Sequence, residues 1–200
     1  MADDTYKTIS APATGLYKEK GSKFMAFAYP VASVDDVKAH LDNLRKKYFD
    51  ARHHCYAYIL GADGSSYRAN DDGEPSGTGG HPIHGQLLSF ELTDTLIVVV
   101  RYFGGILLGA SGLANAYKAA ARDALSNATI IEKTINNTYR LHFEYPLMND
   151  VMRLLKEQGL APCNQQFDLD CHLDFAVRKS QAQRAYDAFA LLHGVSIEQL

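Results

Sequence analysis

Apolar residues recur in two rhythms along this chain, and the rhythm changes from segment to segment. Residues 24–29 are mostly apolar and predict a strand ended by Pro30. Val34, Val37, Leu41, Leu44 and Tyr48 then recur at helical spacing. Ser33, with Asp36 three residues on, predicts a capping box, and Arg45, Lys46 and Lys47 complement the negative end of that helix. Residues 55–60 predict a strand that turns at residues 61–64 into a second short one. Periodicity fails between Asn70 and His81, and Pro82 predicts the first residue of a helix reaching about Phe90. Residues 95–102 are so uniformly apolar that they predict a strand covered on both faces. A glycine-rich stretch follows, then an alanine-rich helix over about residues 113–127.

After residue 128 the pattern becomes that of a smaller, half-exposed sheet. Tyr139, Leu141, Phe143 and Tyr145 alternate with polar residues, and Pro146 opens a helix carrying Leu147, Val151, Leu154 and Leu155, stopped by Gly159. Phe167, Leu169, Cys171, Leu173, Phe175 and Val177 alternate against Asp168, Asp170, His172 and Asp174. Ser180 is the expected cap of a last helix bearing Ala185, Tyr186, Phe189 and Leu192, closed by Gly194. With short strands at residues 161–166 and 195–200 this is a ferredoxin-like βαββαβ unit. The predicted fold class is α+β in two domains, residues 1–130 and 131–200.

Composition narrows the field without naming a function. The chain has 200 residues, 46% hydrophobic and 22% charged, which excludes disorder, collagen, coiled coil and disulfide scaffold. Its three cysteines lack a C-x-x-C pair, which suits a reducing compartment and argues against structural zinc. The N-terminus has no signal-peptide pattern, and the longest apolar run, near residues 96–100, is too short for a bilayer. A cytoplasmic protein without a membrane partner is expected. Net charge is −3, with 13 basic and 14 acidic residues in 1–130 and 7 and 9 in 131–200, so any phosphate contact must be local.

Candidate chemistry gathers in two glycine-rich loops. In the first, Asp71, Asp72 and Glu74 precede Ser76, Thr78 and several glycines ahead of a helix. Freed backbone N–H groups and the two hydroxyls favour an anion there. The three carboxylates oppose one, and the alternative is a tight turn whose Ser or Thr caps the helix. The second loop begins at Arg101 and carries Gly104 and Gly105. Alternation puts Arg101 on the face of Ile97 and Val99, where a charge must be paired, with Asp71, Asp72 or Glu74 as candidate partners. It is either a structural ion pair or an arginine held for a phosphate or carboxylate.

Other positions carry weaker signals. Ser111 lies in a stretch, residues 109–112, that reads as a second helix N-terminus, followed by Lys118 and Arg122 on a solvated face. His53, His54, Cys55, His81 and His84 form no diagnostic catalytic or metal-ligand order, and neither metal nor cofactor is expected. P-loop, dinucleotide-binding and nucleophile-elbow signatures are all missing.

The two loops in combination are more specific. His53 with Cys55-Tyr-Ala, the run 71–80 (Asp-Asp-Gly-Glu-Pro-Ser-Gly-Thr-Gly-Gly) and the run 99–117 (Val-Val-Arg-Tyr-Phe-Gly-Gly-Ile-Leu-Leu-Gly-Ala-Ser-Gly-Leu-Ala-Asn-Ala-Tyr) occur in one order. Over roughly residues 15–125 this set resembles the IMPACT/YigZ family, departing at His81, where Lys or Arg is expected, and at His54, where Asn is frequent. The resemblance implies a first domain like domain IV of elongation factor G and a ferredoxin-like second domain like its domain V. It also implies a link to translation, since eukaryotic IMPACT proteins regulate it. The expected function is a non-enzymatic binding protein whose partner is RNA, the ribosome or a translation-associated protein. Its expected site is Asp71, Asp72, Glu74, Ser76, Thr78, Arg101, Gly104, Gly105, Ser111 and His53, with basic support from Lys18, Lys20, Lys23 and the run Arg45, Lys46 and Lys47. The alternatives are a nucleotide- or phosphate-binding enzyme using the same loops, and a protein-interaction adaptor.

Overall fold

The computed structural model describes residues 4–168 and 170–200. They divide into two compact units, residues 6–133, and residues 134–200 together with residues 4–5. In chain order the first unit contains β1 (Thr5–Ile9), β2 (Ala13–Glu19), β3 (Ser22–Pro30), α1 (Val34–Lys47), β4 (His53–Leu60), β5 (Ser66–Asn70), α2 (Gly80–Ser89), β6 (Thr95–Tyr102), α3 (Gly109–Ser126) and β7 (Ile130–Thr134). Among the described residues, β2-β3-β6-β4-β5 make one antiparallel sheet in that order, and β1 and β7 make a separate two-stranded ribbon.

The central strand β6 is buried from Thr95 to Arg101, as its apolar run requires. Leu96 and Val98 point to one side, packing with Val37, Leu41 and Leu44 of α1. Ile97 and Val99 point to the other, against Ile83 and Leu87 of α2 and the alanines of α3. Those alanines permit close approach: at Gly15 of β2 a Cβ would sit 2.3 Å from the Ala124 nitrogen. The capping box of α1 is formed, Ser33 Oγ accepting from the Asp36 N–H at 3.1 Å and Asp36 Oδ2 from the Ser33 N–H at 3.0 Å. Helix α2 begins at Gly80, two residues before Pro82. Helix α3 begins at Gly109 rather than Leu113, so residues 109–112 are its first turn and not a loop ahead of it.

The second unit runs β8 (Asn136–Glu144), a 3-10 turn, α4 (Met148–Gln158), β9 (Pro162–Phe167), β10 (Asp170–Arg178), a second 3-10 turn, α5 (Ala182–Ala190) and β11 (Val195–Gln199). Strand order β11-β8-β10-β9 completes the ferredoxin-like βαββαβ pattern. Leu141, Leu173, Phe175, Val151, Leu155 and Phe189 form its core, and Gly159 ends α4 with φ +67°. Two expectations need correction. The alternation from Phe167 to Val177 belongs to two strands, because Phe167 closes β9 before β10 opens; Leu169 lies outside the described residues. Ser180 does not cap α5: Gln181 holds that position without a side-chain hydrogen bond.

Candidate functional site

The first loop leaves β5 at Asn70 and folds around the Asp71 carboxylate. That carboxylate accepts hydrogen bonds from the N–H groups of Gly77 (2.9 Å), Gly79 (2.8 Å) and Gly80 (2.8 Å). Burial alone would push the Asp71 carboxyl up, but these three bonds outweigh it and hold it below its ordinary value. The amides that the sequence offered to an external anion are therefore spent on an internal one. Neither Ser76 nor Thr78 caps α2; Asp71 satisfies its first N–H groups instead. Ser76 is exposed, while the buried Thr78 donates its hydroxyl to the Pro75 carbonyl at 2.7 Å.

Asp72 ties the same loop to β4. Its carboxylate accepts from the His54 N–H at 2.7 Å and meets Arg45 at 3.4 Å. Its carbonyl lies 2.9 Å from His53 Nδ1. A carbonyl can only accept, so Nδ1 is the donor, and the other ring nitrogen, Nε2, lies 4.0 Å from Glu74 Oε1.

Arg101 and Glu74 join the two loops. Arg101 Nη1 donates to Glu74 Oε1 at 2.6 Å, with the side chains only 7% and 4% exposed. The Tyr117 hydroxyl of α3 donates to the same oxygen at 2.8 Å. The guanidinium lies 5.4 Å from the Phe24 ring and 5.6 Å from the Phe103 ring, and its buried Nε has no partner among the described residues. Of the three acids within reach in sequence, Glu74 is thus the partner. Tyr117, the last residue of the run 99–117, was not among the expected site residues; its signal is a single large polar-tipped ring in a stripe otherwise of alanine, Ala116, Ala120, Ala121 and Ala124. Cys55 sits beside this group, donating to the Asp71 carbonyl at 2.9 Å, and burial pushes its thiol far above the ordinary range.

The second loop is pinned at its start and free at its tip. At Gly104 a Cβ would lie 1.9 Å from the Gly21 carbonyl carbon, and its N–H donates to Ser22 Oγ at 3.1 Å. Beyond it Phe103, Ile106 and Leu107 are 51%, 55% and 84% exposed, and Gly105 turns with φ +88°. A cleft of about 390 Å³ opens between the loops, lined by Arg52, His53, Glu74, Arg101, Phe103 and Leu113 among others. Arg52, which lines it, did not stand out in the sequence, while Phe103 and Leu107 entered only as members of the run 99–117.

Of the expected site residues the structure brings together Asp71, Asp72, Glu74, His53 and Arg101, with Gly104 and Gly105 on the adjoining loop. Ser111 is exposed on the first turn of α3 and has no hydrogen bond among the described residues. Lys46 and Lys47 are exposed on the last turn of α1, and it is their neighbour Arg45 that reaches Asp72. His84 stacks on Tyr67 with ring centres 4.7 Å apart, away from the His53–Cys55 strand end. Among the described residues no group of His, Cys, Asp and Glu could hold a metal ion, and no helix is long and apolar enough to cross a membrane.

The model of the Impact N-terminal domain matches residues 20–125, which span both loops, the cleft and nearly all of α3. The chain is 38% identical over 148 residues to the IMPACT family member YigZ of Escherichia coli K12, covering 73% of this chain and 72% of that one. A crystal structure of a hypothetical protein, 32% identical, covers 98% of this chain and 97% of its own with a TM-score of 0.75. The two-domain translational regulator Yih1 is 27% identical over 61% of this chain and 47% of its own, with a TM-score of 0.37. With the family's N-terminal domain matching more than half of its length, and YigZ aligned over nearly three quarters of it, this chain belongs to the IMPACT family.

Proposed function

We propose that this chain is a non-enzymatic binding protein of the translation machinery, working in the cytoplasm. In this reading the two units are two domains divided near residue 130. The first contacts RNA, the ribosome or a ribosome-associated factor where its two glycine-rich loops meet. Membership of the IMPACT family, with the link to translation that the resemblance implies, supports the setting.

One observation carries the reading: the groups able to do chemistry are paired with one another. Arg101 is held by Glu74, the loop amides by Asp71, and the Cys55 thiol is buried. What stays accessible at this face is Phe103, Ile106, Leu107 and Arg52, a combination of apolar anchors and a cation that suits docking. A phosphate-binding enzyme would need the amides and the Arg101 charge free, and the fold uses both internally.

The test is co-sedimentation of the purified chain with ribosomes across a salt series, with nuclease controls. Saturable binding that weakens with salt and drops in the Phe103→Ser variant is expected. No sedimentation at the lowest salt overturns the ribosome contact. A partner that co-purifies after nuclease treatment moves the contact from RNA to protein.

A further inference from the structure

The cleft beside Arg101 has two unlike walls. One is apolar, made by Phe103, Leu107, Leu108 and Leu113. The other carries Arg52, His53 and Glu74. Glu74 Oε1 is occupied by Arg101 and Tyr117, whereas Oε2 has no hydrogen bond among the described residues. Arg52 is exposed and has neither an ion pair nor a hydrogen bond among the described residues. The Arg101 charge is already neutralised by Glu74, so Arg52 is the cation in the lining whose charge is left uncompensated.

We infer that this cleft docks a peptide segment of a partner protein, one that presents a large aliphatic side chain next to a carboxylate. The side chain packs against Leu108, Leu113 and Phe103, the carboxylate pairs with Arg52, and a backbone N–H of the segment donates to Glu74 Oε2. Charge complementarity selects this occupant. A single uncompensated guanidinium matches a single carboxylate, and a free carboxylate oxygen beside it attracts an N–H and repels a phosphate. The apolar wall is mainly aliphatic, with Leu107, Leu108 and Leu113 beside the one ring of Phe103, which suits a leucine-like side chain better than a stacked base. A volume of about 390 Å³ lies at the small end of ligand sites, the size of a side chain with its flanking backbone. The inference rests on the reading that this face binds a partner, and it names that partner's chemistry.

The test titrates the blocked peptide acetyl-Gly-Leu-Glu-Gly-amide into the ¹⁵N-labelled full chain, alongside versions with Ala for its Leu and Gln for its Glu. Saturable shifts at the amides of His53, Phe103, Leu107 and Leu113 are expected, with each altered peptide binding about tenfold more weakly. In the Arg52→Gln variant, whose exposed site leaves folding unaffected, the Glu and Gln peptides are expected to bind equally. Equal binding of those two peptides by the unaltered chain, or no cleft shifts at millimolar peptide, overturns the inference. Oligouridylate moving the same amides where the peptide does not also overturns it and assigns the cleft to RNA. Peptide failure with ribosome sedimentation intact removes the ligand assignment alone, whereas loss of sedimentation with the peptide still bound removes the ribosome reading and leaves this one standing.

Discussion

Glu74 is the residue through which the two loops hold each other, because its Oε1 receives both Arg101 and Tyr117. Glu74→Gln leaves a buried guanidinium without its anion, and removing one partner of a buried pair costs about 3–5 kcal/mol. Urea unfolding should show that loss, and much of it should return when Arg101→Met is added, since the stranded charge is then gone. Tyr117→Phe, which removes one neutral donor, should cost only about 1 kcal/mol. A Glu74→Gln variant as stable as the unaltered chain would show that the pair contributes nothing. Accessibility gives a second residue-scale prediction: in the native chain iodoacetamide should modify the exposed Cys163 rapidly and leave the buried Cys55 and Cys171 unmodified. Labelling of Cys55 at the rate of Cys163 would contradict its burial. That Arg101 needs a partner was legible, because a charge alternating with Ile97 and Val99 must lie on a covered face. Which acid it takes was not legible. Asp72 and Gly73 turn with φ of +42° and +84°, sending Asp71 and Asp72 back to the loop and β4 and leaving Glu74 to face Arg101.

At the scale of elements, legibility followed burial. Strand β6 and helix α1 bury whole faces and so print a period on the sequence. β1, β2 and β7 are short and half exposed, and they left no such mark. The cap of α2 was unreadable for a different reason: its acceptor, Asp71, stands eight residues before Gly79, beyond any local capping pattern. Asp71→Asn keeps the shape but halves the acceptors, and should destabilise the first unit by about 1–3 kcal/mol, read by urea unfolding. No change there would mean that water serves these amides as well as the carboxylate does. In the second unit Asp174 is gripped by Arg140 at 2.7 and 2.9 Å and by Asn164 at 3.0 Å. The Arg140 hydrogen bonds lead in lowering its pKa from the ordinary 3.8 to about 2. A carboxylate whose pKa is depressed by folding stabilises fully above its unfolded value and loses that contribution as pH falls through the folded one. The stability of this unit, followed by the methyl resonances of Leu141 and Leu173 in urea, should therefore decline between about pH 4 and pH 2. Asp174→Asn should lower it at neutral pH and flatten that acid limb. An acid limb unchanged by the substitution would place the titration elsewhere.

For the whole molecule the deciding quantity is the balance of charge. A net charge of −3, with neither half basic, leaves no broad positive field to draw the chain onto nucleic acid. Many of its cations are also spoken for: Arg45 meets Asp72, Arg101 meets Glu74 and Arg140 meets Asp174. Each phosphate neutralised contributes about −0.7 to −0.9 to the slope of log affinity against log salt. If Arg52, Lys46 and Lys47 are the cations that meet the ribosome, the slope for ribosome binding should be no steeper than about −3. Replacing Lys46 and Lys47 by Ala then separates two kinds of contact. If the ribosomal contact is RNA, the slope should flatten by about 1–2 while the cleft peptide still binds unchanged. If it is a ribosomal or ribosome-associated protein seated in the cleft, the lysine pair should leave the slope alone and Leu107→Ser should abolish sedimentation at every salt concentration. A slope near −6 would bring in further exposed cations such as Lys18, Lys20 and Lys23, and would extend the contact beyond Arg52, Lys46 and Lys47.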